Sequence, residues 1–257
     1  MLGSGNVAGH LAIGLDHIAD VIQVYSPNIQ HASSLADKLK KAQAVDNTDE
    51  IVTDADFYII AVKDDAISSL AAKVTANGGI WAHTSGSVPM SVFEGVKDRY
   101  GVFYPLQTFN RHDSIDFSTL PMLIEGGDEE TETALFNLAS MISKDVHRAT
   151  SGDRAVFHRA AVFACNFANY MWCMADDILH TRGFDLTLFR PLLTKTLENA
   201  LNSTPYNAQT GPARRGDKKV MDKHLSLLTP DQAEVYSLMS RLIYERFNRP
   251  LSDEPNK

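Results

Sequence analysis

The chain has 257 residues, of which 44% are hydrophobic and 22% charged, a profile that fits one or two globular domains and excludes general disorder. Its net charge of −8 argues against a nucleic-acid partner, because phosphate binding needs clustered Lys and Arg. The two cysteines, Cys165 and Cys173, cannot form a disulfide framework or a four-ligand zinc site, and they fit a reducing cytosol. No apolar run approaches the roughly 18 residues of a membrane span, and no charged leader opens the chain. We therefore expect a cytoplasmic protein that binds neither membrane nor nucleic acid.

The first half of the chain alternates apolar runs of strand length with helical patterns. Helical spacing predicts helices over 7–18, 32–41 and 64–74. Strands are expected at 21–25, 55–62, 80–84, 101–104, 121–124 and 146–147. Strands that alternate with helices indicate βαβ units, so we expect an α/β domain with a parallel sheet over residues 1–149.

The character of the sequence changes near Thr150. No convincing strand follows Asp153, and helices are predicted over 154–182, 187–201, 212–228 and 230–247. Residues 150–257 therefore form the second predicted domain, an all-α domain expected to contribute to substrate binding and dimer formation.

A glycine-rich turn opens the chain. Its spacing, Gly3-x-Gly5-x-x-Ala8, is the dinucleotide fingerprint in its G-x-G-x-x-A form. Gly3 permits the tight turn from strand to helix, Gly5 lets the backbone approach a pyrophosphate, and Ala8 lets the helix pack close to the strand. The predicted nucleotide contacts are Gly3, Ser4, Gly5, Asn6, Val7 and Ala8. A helix cap built from small residues is the plainer alternative.

The strand before this turn is short, since only Met1 and Leu2 precede Gly3 and such strands usually have about five residues. We expect the natural chain to begin several residues upstream with an apolar strand.

The cofactor choice depends on the end of the second strand. NAD sites commonly place Asp or Glu there, whereas this chain has Ser26, Pro27 and Asn28. Without the acid nothing repels a 2′-phosphate, and Ser26 and Asn28 are able to donate to one. We expect NADP, with NAD as the alternative.

The chain resembles a group of Rossmann-like NADP oxidoreductases with a C-terminal helical domain of unassigned function. The group is related to the deazaflavin-dependent NADP reductases and the pyrroline-5-carboxylate reductases. The segments that carry the resemblance are 3–8, 61–64, 83–87, 101–109, 161–167 and 210–213. The resemblance implies a Rossmann-like domain that binds NADP(H), followed by a helical domain. The chain departs from the group in its short first strand and in having no Arg after the second strand.

Three segments follow predicted strands and should open onto one crevice, because ligands of open α/β sheets lie beyond the carboxyl ends of the strands. In the first, the backbone of Val62 and Lys63 is expected to contact the cofactor, whereas Asp64 is read as a cap of the next helix. The other predicted contacts are Ser85 and Gly86 for the cofactor and Tyr104, Pro105 and Gln107 for the substrate. His83 is either a proton donor or a strand-end histidine bonded to backbone. A turn that only connects strands is the alternative for 104–108.

The predicted helix 154–182 carries a polar stripe. At about 100° per residue, one face presents His158, Cys165, Asn166, Asn169 and Cys173. We expect His158 and Asn166 to be catalytic and Asn169 to contact substrate, with a core helix whose amides are satisfied as the alternative. Arg214 is a candidate for binding a carboxylate or phosphate of the substrate. No metal is expected, since no acid joins the two distant thiols.

Together these features predict an NADP-dependent oxidoreductase that moves a hydride to or from a C=O or C=N bond of a small molecule. The reaction would take place in a cleft between the two domains of a homodimer, with His158 before His83 as proton donor. The alternative is a dinucleotide-binding dimer that senses redox state without catalysis.

Overall fold

The computed structural model describes residues 1–76, 78–111 and 113–248, and the chain divides into two compact units, Met1–Ala164 and Cys165–Lys257. The first unit is built from a sheet and the helices that follow its strands. Its strands are β1 (Gln23–Tyr25), β2 (Gln43–Val45), β3 (Phe57–Ile60), β4 (Ile80–His83), β5 (Tyr100–Pro105), β6 (Met122–Gly126) and β7 (Val146–Arg148). Its helices are α1 (Asn6–Asp16), α2 (Ile29–Ala36), α3 (Asp64–Lys73), α4 (Glu129–Ser140) and α5 (Ser151–Ala161).

The sheet is mostly parallel. β1 pairs with β2, and the other strands follow the order β3-β4-β5-β6-β7. Leu2 bridges in parallel to both Tyr25 and Ile60, so residue 2 lies between β1 and β3. Only the β5–β6 pair is antiparallel. The described residues between these two strands contain no crossover α-helix, which a parallel return would need.

The helices of the first unit cover the sheet through apolar faces. Ala8, Leu11, Ala12 and Leu15 of α1 are buried, and β4 is buried over its whole length. A strand buried on both faces needs a continuous apolar run, which is why residues 55–62 and 80–84 were readable as strands. The predicted α/β class is confirmed.

The second unit is helical. Its helices are α6 (Ala168–His180), α7 (Arg190–Asn202), α8 (Pro205–Ala208), α9 (Pro212–Arg215), α10 (Lys218–Leu225) and α11 (Pro230–Asn248). The prediction of one helix over 212–228 was wrong, because Gly216 takes a left-handed conformation with φ +67° and ends α9. The prediction of an uninterrupted α-helix over 154–182 was also wrong, since residues Val162–Phe167 are π-helical.

The division between these two units falls within that helical stretch, between Ala164 and Cys165, and the domain boundary at Thr150 stays a prediction. Arg154, in the first turn of α5, is 1% exposed and is bonded to Glu125 of β6. These contacts tie α5 to the first unit.

None of the helices within the described part of the chain is long and apolar enough to cross a membrane.

Candidate functional site

A cavity of about 880 Å³ lies in the first unit, where the glycine-rich turn meets the segments after β1, β3, β4 and β5. Most of the site residues predicted from the sequence line this cavity. The predicted residues on its wall are Gly3, Ser4, Gly5, Asn6, Val7, Ser26, Val62, Lys63, Ser85, Gly86, Tyr104, Gln107 and His158. Ala8 is fully buried in α1, and Pro105 is buried in β5, so each supports the wall from behind.

The glycine-rich turn has the geometry that a dinucleotide requires. Gly3 has φ +128°, and a Cβ there would lie 2.2 Å from the Ala61 carbonyl oxygen. A Cβ on Gly5 would meet no atom within 4 Å, so this backbone is open to an approaching group. No side chain caps α1, and its first turn holds no acid, which leaves its positive end available to an anion. These residues fit a bound pyrophosphate.

The segment after β1 carries no acidic side chain. The Ser26 hydroxyl accepts from Asn28 N at 3.4 Å, and Asn28 Oδ1 accepts from Gln30 N at 3.0 Å to cap α2. The acceptor side of the Asn28 amide is thus used within the chain. Lys63 and Lys73 on the cavity wall add positive charge.

The segment after β4 is ordered by its own hydroxyl groups. Ser85 Oγ accepts from Ser87 N at 3.1 Å and from Val88 N at 3.0 Å. Ser87 Oγ donates a very short hydrogen bond to the Asp64 carboxylate. The interpretation of Asp64 as a helix cap was wrong, because Lys63 is the N-cap of α3 and no side chain bonds there. Asp64 instead ties the start of α3 to the segment after β4.

Tyr104 and His158 meet over Gly86. Tyr104 Oη lies 3.5 Å from His158 Nδ1, although 54 positions separate them in sequence. A Cβ on Gly86 would lie 2.8 Å from Tyr104 Cζ and 2.9 Å from His158 Nδ1, so glycine makes this approach possible. Burial raises the pKa of the Tyr104 phenol, and the positive charge of Arg154 partly offsets the rise. The phenol is therefore neutral at physiological pH and able to donate a proton.

His83 has a different environment. It is fully buried at the end of β4, and its Nδ1 accepts from Ser85 N at 3.2 Å. Burial, aided by the charge of Arg154, lowers the pKa of His83 to about 4. The His83 imidazole is therefore neutral, and its Nδ1 already accepts a hydrogen bond from the backbone of the segment after β4. This favours the interpretation of His83 as a strand-end histidine bonded to backbone over its role as a proton donor.

The loop after β5 lies against the start of α1. Asn6 Nδ2 donates to the Phe109 carbonyl at 2.9 Å, and His10 Nε2 lies 2.8 Å from the Asn110 carbonyl oxygen. The loop thereby brings Gln107 and Phe109 to the cavity wall. Phe109 was not predicted, because its place depends on these distant contacts.

The other predicted residues belong to the second unit. Asn169 Nδ2 lies 4.0 Å from Cys173 Sγ, and Asn166 lies in the π-helical segment. That segment departs from the 100° repeat on which the polar stripe was based. Arg214 donates to the Gln209 carbonyl at 2.9 Å and stacks on Phe247, so its guanidinium is engaged within the unit. Substrate contact by Asn169 and Arg214, and a catalytic role for Asn166, stay predictions.

One buried group behind the wall was missed. The Arg154 side chain is bonded to Glu125 and to the segment after β4. An Arg in a predicted helix is normally exposed to solvent, so no local pattern in the sequence predicts that Arg154 is buried. Within the described ranges, no three His, Cys, Asp or Glu side chains form a group able to hold a metal ion.

Comparisons with known proteins place the chain in a family. Residues 1–80 match the model described as "NADP oxidoreductase coenzyme F420-dependent", and residues 120–243 match a domain of unknown function, DUF2520. A solved structure of a candidate NADP oxidoreductase from Bacteroides fragilis is 37% identical, with a TM-score of 0.90 over 95% of this chain and 96% of that one. A search of curated protein sequences finds no match. The chain belongs to this NADP oxidoreductase family, as its sequence motifs predict.

Two further solved structures share the fold at low identity. A reductive aminase from Aspergillus terreus, in complex with NADPH and ethyl levulinate, is 14% identical with a TM-score of 0.68, over 95% of this chain and 92% of that one. Pyrroline carboxylate reductase from Plasmodium falciparum, with NADP bound, is 13% identical with a TM-score of 0.58, over 95% and 96%. The family, the fold class and the oxidoreductase class are confirmed.

Proposed function

We propose that the protein transfers a hydride between NADP(H) and a C=O or C=N bond of a small molecule. The observation that carries the proposal is the Tyr104–His158 pair, which lies on the wall of the same cavity as the glycine-rich turn. NADPH, when bound, supplies the hydride that adds to the carbon of the double bond and is left as NADP+. The Gly3–Gly5 backbone and the start of α1 hold its pyrophosphate.

Two side chains transfer the proton that the reaction needs. Tyr104 protonates the oxygen or nitrogen onto which the electron pair of the double bond moves. Its phenolate is then reprotonated by His158, whose Nδ1 lies 3.5 Å from the phenol oxygen. His158 is exposed and recovers its proton from solvent. In the oxidative direction the same groups accept the proton.

We propose NADP rather than NAD as the preferred cofactor. The segment Ser26–Asn28 offers no carboxylate to accept from a ribose 2′-hydroxyl or to repel a 2′-phosphate. The charges of Lys63 and Lys73 on the same wall favour the more anionic cofactor.

We also propose that the protein is a cytoplasmic homodimer. In the described part of the second unit only Ala213 is buried, and the helices present large apolar side chains to solvent. The most exposed of these are Leu188, Leu192, Leu197, Leu201 and Leu227. Apolar surface on this scale is typical of an obligate interface, which resembles a domain core cut in half. Light scattering coupled to gel filtration should give twice the mass of 28.3 kDa, and a monomer at micromolar concentration would contradict the dimer.

The function is tested by cofactor titration followed by turnover. NADPH and NADH are titrated by cofactor fluorescence, and NADPH oxidation is then followed with a panel of ketones, aldehydes and cyclic imines. Tyr104→Phe should lower kcat by a factor on the order of a hundred or more, and His158→Ala should also lower it, with NADPH affinity retained in both. His147→Ala is the control, since His147 pairs with Asp145 away from the cavity. Cofactor binding without turnover of any compound would contradict the proposal and favour the redox-sensing alternative.

A further inference from the structure

Arg154 is a buried cation with several partners. Its side chain is 1% exposed, and its three guanidinium nitrogens make four hydrogen bonds. Nε donates to the Ser85 carbonyl at 3.1 Å, and Nη2 donates to the Val88 carbonyl at 2.7 Å. Nη1 donates to Glu125 Oε2 at 2.5 Å. The planar fork of arginine fits this set of partners, whereas a lysine ammonium could satisfy only part of it.

Glu125 extends the network to the start of α5. Its Oε1 accepts from Ser151 N, and its Oε2 accepts from Ser151 Oγ, both at 2.8 Å. Ser151 Oγ in turn accepts from Met90 N at 3.1 Å. The pair therefore joins β6, the first turn of α5 and the segment 85–90 behind the cavity wall.

The network sets the geometry of the site in two ways. The bond to the Ser85 carbonyl fixes the peptide plane between Ser85 and Gly86, and planarity then turns the Gly86 N–H away from Arg154. His158 follows Arg154 by four residues, so both side chains lie on one face of α5. Anchoring Arg154 to the segment after β4 thus brings His158 over Gly86, where it meets Tyr104.

We propose that Arg154, held by Glu125, is the positioning residue of the reductase site: it fixes the Ser85–Gly86 backbone and the start of α5 so that His158 meets Tyr104. This inference rests on the proposed function for its effect on turnover. Arg154 touches neither substrate nor cofactor and acts through the groups it holds. Its charge also keeps the pKa of the Tyr104 phenol below the value that burial alone would give.

The test removes the ion pair without leaving a lone buried charge. Arg154→Met with Glu125→Leu replaces the pair by apolar side chains of comparable size, which proteins commonly tolerate. Arg148→Met with Glu132→Leu is the matched control, because Arg148 is exposed, Glu132 is partly exposed, and neither residue lines the cavity. Thermal melts and NADPH titration show first whether each variant is folded and binds cofactor.

Two readouts then separate positioning from a structural role. The Arg154/Glu125 double variant should lose kcat by a factor on the order of a hundred with little change in NADPH affinity, as expected when reacting groups are misplaced by about 1 Å. The Tyr104 phenol, followed by NMR of 13Cζ-labelled tyrosine and assigned with Tyr104→Phe, should titrate at higher pH than in the wild type. Arg154→Lys keeps the charge and should restore the titration midpoint but not the full kcat.

The outcomes distinguish the two proposals. Wild-type kcat in the folded double variant would overturn the positioning role, whether or not the Tyr104 midpoint moves with the lost charge. In a protein that turns over no carbonyl or imine compound, a changed 13Cζ shift of neutral Tyr104 in Arg154→Lys, which keeps the charge, would leave the positioning role standing and remove the proposed function; an unchanged shift would overturn both.

Discussion

Replacing Gly86 by alanine is a small change with a sharp structural consequence. The new methyl group would lie 2.8 Å from Tyr104 Cζ and 2.9 Å from both Tyr104 Oη and His158 Nδ1. Ordinary van der Waals contacts begin at about 3.5 Å, so the side chains of Tyr104 and His158 must each move away from the new methyl group by roughly half an ångström or more. The φ of Gly86 is not in the left-handed region, and alanine therefore adds no backbone strain.

The displacement should affect turnover more than stability. Tyr104 is half-buried and His158 is exposed, so both can move toward the cavity, and the destabilisation should be no more than the ~1–3 kcal/mol typical of overpacking. Because the moved groups are the proposed proton donor and its partner, kcat should fall by a factor on the order of ten to a hundred. NADPH affinity should change little, because the proposed pyrophosphate site is at Gly3 and Gly5.

The assay compares Gly86→Ala with Gly5→Ala. A Cβ on Gly5 would meet no protein atom within 4 Å, so Gly5→Ala should fold normally and lose NADPH affinity by intruding on the pyrophosphate. Each variant is measured for kcat, NADPH dissociation constant and melting temperature. We assign Gly86 to the approach of Tyr104 and His158, and Gly5 to the pyrophosphate. Wild-type kcat in Gly86→Ala, or equal effects of both variants on cofactor affinity, would refute this assignment.

Three further predictions follow from single groups. Gly3→Ala should lower the melting temperature strongly, since its Cβ would overlap the Ala61 carbonyl at a φ of +128°; a melt like that of the wild type would contradict this turn geometry. The reductive kcat should stay high into the alkaline range and fall only above the ordinary tyrosine pKa of about 10, because burial raises the pKa of Tyr104, the proposed donor; an alkaline midpoint below that ordinary value would exclude Tyr104 as the donor. The pKa of His83 is lowered to about 4, whereas it is about 6.5 in the unfolded chain. The unfolded chain therefore binds the proton more tightly than the folded protein does. As the pH falls from 6.5 to 4, the folded protein loses about 3 kcal/mol of stability that the neutral His83 contributes. His83→Gln should flatten this dependence in urea unfolding at pH 5 and pH 7, and an unchanged slope would show that His83 is not its source.

Most strands and helices of the fold could be predicted from local patterns in the sequence. The long apolar runs of β3 and β4 and the glycine-rich turn were readable, because burial and turn geometry constrain neighbouring residues directly. β2 was missed, since Gln43–Val45 is too short to show a period. α4 was missed although Asp128 caps it and acidic residues fill its first turn, a signal that was present in the sequence.

The site was predictable only in part. Segments at the carboxyl ends of strands could be placed in one crevice, because parallel strands end at one edge of the sheet. The meeting of Tyr104 with His158 could not be derived, since it depends on how α5 is anchored. That anchor, Arg154, has partners 29 and 69 positions away, and a buried ion pair leaves no periodic trace in the sequence. The buried state of His83 is likewise set by neighbours such as Phe93, not by its own surroundings in the chain.

The central claim, hydride transfer at the Tyr104–His158 pair, is tested most directly by isotope transfer. NADPH deuterated at C4 is incubated with the protein and the panel of ketones, aldehydes and cyclic imines, and the products are analysed by mass spectrometry. The account predicts that at least one alcohol or amine product carries the deuterium on carbon, and that it forms far more slowly with Tyr104→Phe. Tight NADPH binding with no labelled product, or labelled product formed equally fast by Tyr104→Phe, would contradict it.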